Sequence, residues 1–191
     1  MGFSVFSRVL VGAVLLLAAC STEQARPGVG DHWHVAYGVY ICDSYAEPLR
    51  GDLTGNDGFP PGKNYKIVGV HSHNDGLIHF HPFSGLAAGP KANLGLFLSM
   101  YGIGLSDEQV DLPEYLGGSL FEHVSLCLGH DAELQVQYWP DASVPDVFTT
   151  FTTGLSKVPL IEDGAAVALM FARPGTVAPL PPSVGAPITD M

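Results

Sequence analysis

The tripeptide Asn74-Asp75-Gly76 separates two stretches that each carry a His-x-His pair, within the segment GVHSHNDGLIHFHPFS from Gly69 to Ser84. The length of the turn between them limits what the chain can build. Side chains alternate faces along a β-strand, so each His-x-His pair puts two imidazoles on one side of the backbone. A two-residue Asp-Gly turn sets His73 opposite Ile78 and sends the pairs to different faces. A three-residue turn, with Gly76 left-handed, sets His71 opposite His79. His71, His73, His79 and His81 then share one face, and Val68, Val70, Ile78 and Phe80 share the other. The three-residue turn is the expectation; a slip of one residue destroys the shared face.

A third pair, His32 and His34, opens the alternating stretch DHWHVAYGVYICD. Trp33, Val35, Tyr37, Val39 and Ile41 fall on one face, and His32, His34, Ala36, Gly38, Tyr40 and Cys42 on the other. That predicts a strand with one face on the core and both histidines turned away from it. Asp43 to Asn64, rich in Gly, Pro and Asp, reads as a long surface loop. Tyr65 to His73 and Leu77 to Phe83 supply the strands of the histidine hairpin. Asn93 caps a helix running to about Tyr101, with Leu94, Phe97, Leu98 and Tyr101 inward and Gly102 at its end. Ser106 to Gln109 has the capping-box pattern and predicts one helical turn before Pro113. Ser119 to Leu128 predicts a strand with Phe121, His123, Ser125 and Cys127 on one side and Val124, Leu126 and Leu128 on the other. Glu133 to Trp139 is its partner, and Val147 to Thr153 is strand or extended. Ala165 to Ala172, AAVALMFA, suits a central strand covered on both faces. The order strand, hairpin, helix, hairpin, strand predicts an α+β fold: a mostly antiparallel or mixed sheet with one main helix packed across it. A β-grasp-like arrangement accommodates that order.

The ends of the chain carry different signals. Residues 1–19 have the layout of a secretory signal, with Arg8 in the lead, an apolar run from Val9 to Leu17 and small residues before Cys20. Leu17-Ala18-Ala19-Cys20 resembles a bacterial lipobox, so residues 1–19 are read as a lipoprotein signal peptide. Cys20 is the lipidated first residue of the mature protein, and residues 20–30 are its tether. Residues 31–172 form a single His-rich domain, and residues 173–191 a Pro-rich tail, wrapped on the surface or loose. The expected location is the extracytoplasmic face of the cell membrane, held by the lipid. Losing Arg8 with the leader takes the formal charge from −11 to −12. No basic cluster exists, which argues against nucleic acid as a partner. Outside the cytoplasm Cys42 and Cys127 are free to pair as a disulfide, the preferred reading over thiolate ligation of a metal.

The chemistry lies in the imidazoles. Neutral imidazole binds Zn, Cu, Ni and Fe(II), and strand-borne His-x-His presents two ligands together. His32, His34, His71, His73, His79 and His81 are the candidate ligands of a transition metal ion, Cu or Zn. Asp31 and Asp75 are candidates to orient imidazoles from behind or to add an oxygen, as is Asn74. His130 sits in a turn exposed to solvent, and His123 borders the site through the Cys127 face. The leading function is metal capture or delivery by an exported lipoprotein. One alternative is a metal-dependent hydrolase or oxidoreductase on the same ligands, with Asp31, Asp75 or Tyr40 as acid or base. A second is a non-catalytic envelope module whose histidines form a structural or pH-sensing network. Nucleophile-elbow, phosphate-loop and His-Glu-x-x-His motifs are absent.

Together, DHWHVAYGVYICD, GVHSHNDGLIHFHPFSG, KANLGLFL and EDGAAVALMFARPGTVAPLPPS resemble an uncharacterised family of secreted or membrane-anchored bacterial proteins. Its motifs read DHWHxAYGVYxC and HxHxDGLIHxHPF, and the resemblance spans roughly Asp31 to Ser183. It implies that Asp31, His32, His34, Cys42, His71, His73, Asp75, Gly76, His79 and His81 are motif positions. It implies no activity. One departure is the late turn, where Ala165-Ala166 follow Glu162-Asp163-Gly164 and relatives read Gly-Asp-x-Ile.

Overall fold

An apolar run such as Ala165 to Ala172 is stable as a strand only when both of its faces are covered. In the computed structural model, which describes residues 27–55 and 64–187, this run is buried at every position. The elements around it are, in chain order, β1 (Trp33–Ile41), β2 (Ser44–Tyr45), α1 (Tyr65–Val68), β3 (Val70–His71), β4 (Leu77–Phe80), α2 (Leu94–Met100), β5 (Gln109–Asp111), β6 (Ser119–Phe121), β7 (Leu126–Cys127), β8 (His130–Asp131), β9 (Glu133–Trp139), β10 (Thr149–Phe151) and β11 (Ala165–Ala172). The main sheet runs β10-β9-β11-β1-β4-β3, with β2 paired to β1. The central pair, β1 and β11, is parallel, and the other pairings are antiparallel. The main sheet is mixed and the fold falls within the α+β class expected, but β9 pairs with β10 and β11 rather than with Ser119 to Leu128 as expected.

Two cores cover the two faces. Trp33, Val35, Tyr37 and Val39 of β1 join Phe97 and Leu98 of α2 in the larger one. The Asn93 side chain accepts the Leu96 N–H at 2.9 Å and starts α2 where expected. On the opposite face Ala36, Leu77, Ala166, Ala168 and Met170 pack under Ala178, Leu180 and Val184 of the Pro-rich tail. The tail is irregular but docked. Gln137 exchanges two hydrogen bonds of 3.1 Å with the Ala178 backbone, and the Ser183 hydroxyl donates to the Gly76 carbonyl at 2.8 Å. The Cys42–Cys127 disulfide is present, with 5.1 Å between Cα atoms.

Four further expectations are corrected. Tyr65 to Val68 is a helical turn rather than the start of a strand. It ends at Gly69, left-handed at φ 76°, where a Cβ would overlap the His81 carbonyl oxygen. The loop after β2 is not all surface, because Leu49, Leu53 and Asp52 are buried. After Ser106 the hydroxyl accepts N–H groups of Glu108 and Gln109 as a capping residue does. The chain then extends as β5, because its apolar residues Val110 and Leu112, both buried, recur at the strand period. Finally, Ser119 to Leu128 is not one strand. His123 and Leu128 take positive φ, 59° and 51°, and break it into two small hairpins that leave Val124, Leu126 and Leu128 exposed. The expected signal peptide, the expected lipidation at Cys20 and the expected tether up to residue 26 lie outside the described residues.

Candidate metal centre

Three adjacent strands carry the histidines, and their register decides which meet. His34 pairs with His79 across β1 and β4, and His79 pairs with His71 across β4 and β3. That places one imidazole from each strand in a single row, on the face away from α2. The hairpin register is the one a three-residue turn gives, although the ladder stops at His71 and His79. Beyond it Asn74 and Gly76 are left-handed, at φ 64° and 77°. His32 and His81 flank the row on one side, with ring centroids 3.8 Å apart. His73 flanks it on the other, 4.7 Å from both His71 and His79. All six expected histidines therefore form one continuous cluster.

Burial grades across it. His71 and His79 are buried, His34, His73 and His81 half-buried, and His32 exposed. Two triads bring one ligand atom per residue within 4.8 Å of one another: His71, His73 and His79, and His32, His79 and His81. The Nε2 atoms of His71 and His73 are 3.1 Å apart, and those of His32 and His34 are 3.0 Å apart. On a tetrahedral ion with bonds of about 2.0–2.1 Å the nitrogens stand about 3.3–3.4 Å apart, so the His71–His73 pair lies within a few tenths of an ångström of shared coordination. Each triad supplies three ligands and leaves a position on a four-coordinate ion for water or another group.

Carboxylates hold the rings from behind. His79 Nε2–H donates to Asp75 Oδ2 at 3.1 Å, while Asp75 Oδ1 accepts the Leu77 N–H at 2.9 Å. His73 Nδ1–H donates to Asp52 Oδ2 at 3.0 Å, while Asp52 Oδ1 accepts the Thr54 N–H and hydroxyl. A carboxylate–imidazole–metal chain of this kind fixes both tautomer and ring orientation. It selects Nε2 of His73 and Nδ1 of His79 as the ligand atoms. Burial pushes the Asp75 carboxyl up, but bonds from His79 and Leu77 outweigh it and hold the group down at about 2. Asp52 is likewise held below its ordinary value: bonds from Thr54 and His73 overcome its burial. Burial, reinforced by the neighbouring His79, His73 and His81, depresses His71 to about 3, and the weak pull of the Gly69 backbone does not offset it. Its Nδ1 is buried with no hydrogen bond of normal geometry. A neutral His71 ring and the ionised Asp52 and Asp75 carboxylates are forms that suit a bound metal ion, so these residues fit the expected ion.

The remaining candidates fall elsewhere. The Asp31 carboxylate accepts the Gly28 N–H at 2.7 Å and lines a cleft beside His32. His123 and His130 are exposed and lie outside both triads. The His123 turn leads to Cys127, bonded to Cys42, which lies eight residues along the chain from His34, about 26 Å of extended strand. Tyr40 packs against Tyr45, well along β1 from the cluster. Two carboxylates escaped the sequence reading. Asp52 comes from the long loop and has no periodic signal. Asp163, which accepts the His34 N–H at 2.9 Å, comes from the turn before β11. No family model, curated protein or solved structure matches the chain.

Proposed function

We propose that this protein binds a transition metal ion, Zn(II) or Cu(II), for capture or delivery. It acts as a lipoprotein anchored through Cys20 on the extracytoplasmic face of the membrane. The observation that carries the reading is the pair of His triads sharing His79, with Asp52 and Asp75 aligned behind two of their rings. An all-imidazole donor set favours these borderline ions over Mg or Ca, which take oxygen ligands. No helix among the described residues is long and apolar enough to cross a membrane, and the lipid on Cys20 supplies the attachment. Of the motif positions implied by resemblance to the uncharacterised exported family, the six histidines and Asp75 lie at this cluster, whereas Cys42 is in the disulfide.

Calorimetric titration of the mature, untagged apo-protein tests the reading. Expected is a Kd tighter than about 10 µM for Zn(II) or Cu(II), near −7 kcal/mol, abolished in His79→Ala. Binding weaker than that for both ions removes the proposal.

A further inference from the structure

The two triads differ in a way that simple metal storage does not require. One is an outer seat, with His32 exposed, His81 half-buried and His79 buried. The other is an inner seat, with His71 and His79 buried and His73 half-buried. His79 belongs to both, and its Nε2–H is committed to Asp75, so it offers each seat the same Nδ1 lone pair. One lone pair coordinates one ion. We infer that the cluster is a two-position relay for a single transition metal ion, which enters at the outer seat and passes to the inner one by ligand exchange about His79. This rests on the metal-binding reading above and adds to it a direction and a stoichiometry.

The surroundings match an entrance and a destination. Outside, a cleft of about 400 Å³ is lined by Asp31, His32, Glu162 and Asp163. Its three carboxylates raise the local concentration of cations. His34 stands beside the outer seat, its Nε2 3.0 Å from that of His32. His81 is the stepping point: its ring is 3.8 Å from His32 on one side and 5.3 Å from His71 on the other. The ion therefore exchanges His32 and His81 for His71 and His73 while keeping His79, and is never without an imidazole. At the inner seat the Asp52 carboxylate aligns His73, and burial slows escape to water. Only ligand bonds change, with no redox or covalent step.

Zinc stoichiometry by dialysis and metal analysis, with loading and release followed by stopped flow against a chromophoric zinc chelator, tests the relay on the mature untagged chain. The wild type is expected to hold one Zn(II) per chain. His32→Ala/His81→Ala should load Zn(II) at least tenfold more slowly than the wild type. His32 is exposed and His81 half-buried, and circular dichroism checks that this variant folds. His71→Ala/His73→Ala should still take one Zn(II), held at least tenfold more weakly and released faster. Its more conservative form, His71→Gln/His73→Gln, with circular dichroism as the check on folding, covers the case where the alanine variant does not fold. Two Zn(II) per wild-type chain, or unchanged loading in His32→Ala/His81→Ala, overturns the relay and leaves metal binding intact. Absence of Zn(II) and Cu(II) binding by the wild type removes the metal-binding reading, and the relay with it.

Discussion

Replacing Asp52 with asparagine isolates what the long loop contributes to the cluster. Asp52 is 4% exposed and does two things: Oδ1 accepts the Thr54 N–H at 2.8 Å, and Oδ2 accepts His73 Nδ1–H at 3.0 Å. A backbone N–H can only donate, so the asparagine oxygen must stay on Thr54 and its NH2 must face His73. Two donors then confront each other. The relief is a tautomer flip that moves the His73 proton from Nδ1 to Nε2, the atom the proposed ion would take. Loss of an outer-shell partner of a ligating imidazole costs about 10- to 100-fold in metal affinity, or about 1.4–2.7 kcal/mol. Competition titration of Zn(II) against a chelating dye should show that drop in Asp52→Asn, with the melting temperature of the apo-protein as a control for folding. An Asp52→Asn protein that binds Zn(II) as tightly as wild type, while His73→Ala binds it at least tenfold more weakly, would refute the orienting role.

Two further outcomes follow from the same geometry. His71 sits at about 3 in the folded chain against an ordinary 6.5, so the unfolded chain binds the extra proton between those values and stability falls as pH drops through that window. Urea unfolding of the apo-protein should lose about 2 kcal/mol between pH 7.5 and pH 5, a loss missing in His71→Leu; Asp75, held at about 2, titrates below this interval. Gly69→Ala imposes both a positive φ and an overlap with the His81 carbonyl, and should destabilise the chain by about 2 kcal/mol or more, read as a lower urea midpoint.

What was legible in the sequence was whatever obeys a strict period. The alternation from Trp33 to Ile41 and the run from Ala165 to Ala172 specify strands by their faces, and both form as read. Turn length and Gly76 gave the His71–His79 register, because a hairpin leaves few ways to close. Local signals failed where a neighbour intervened. Ser106 makes its capping bonds, but Val110 and Leu112 need the core on alternate residues and draw the backbone out as β5. His123 in a left-handed turn cannot be foreseen from SLFEHVSLCL, because the disulfide at Cys127 and the main sheet dictate that path. Asp52 was invisible for a similar reason. Its position depends on Leu49 and Leu53 burying themselves and on Tyr101 donating to the Gly51 carbonyl at 3.3 Å, contacts that no local pattern announces.

The parallel pairing of β1 with β11 joins Val35 to Ala165 and Ile41 to Phe171. The strand bearing His34 is therefore braced by a segment that follows the last histidine of the cluster by more than eighty residues. The six imidazoles all come from residues 32–81, yet the sheet they stand on is completed by β9 and β11, far later in the chain. A substitution in β11 can therefore loosen the histidine row without touching a single imidazole.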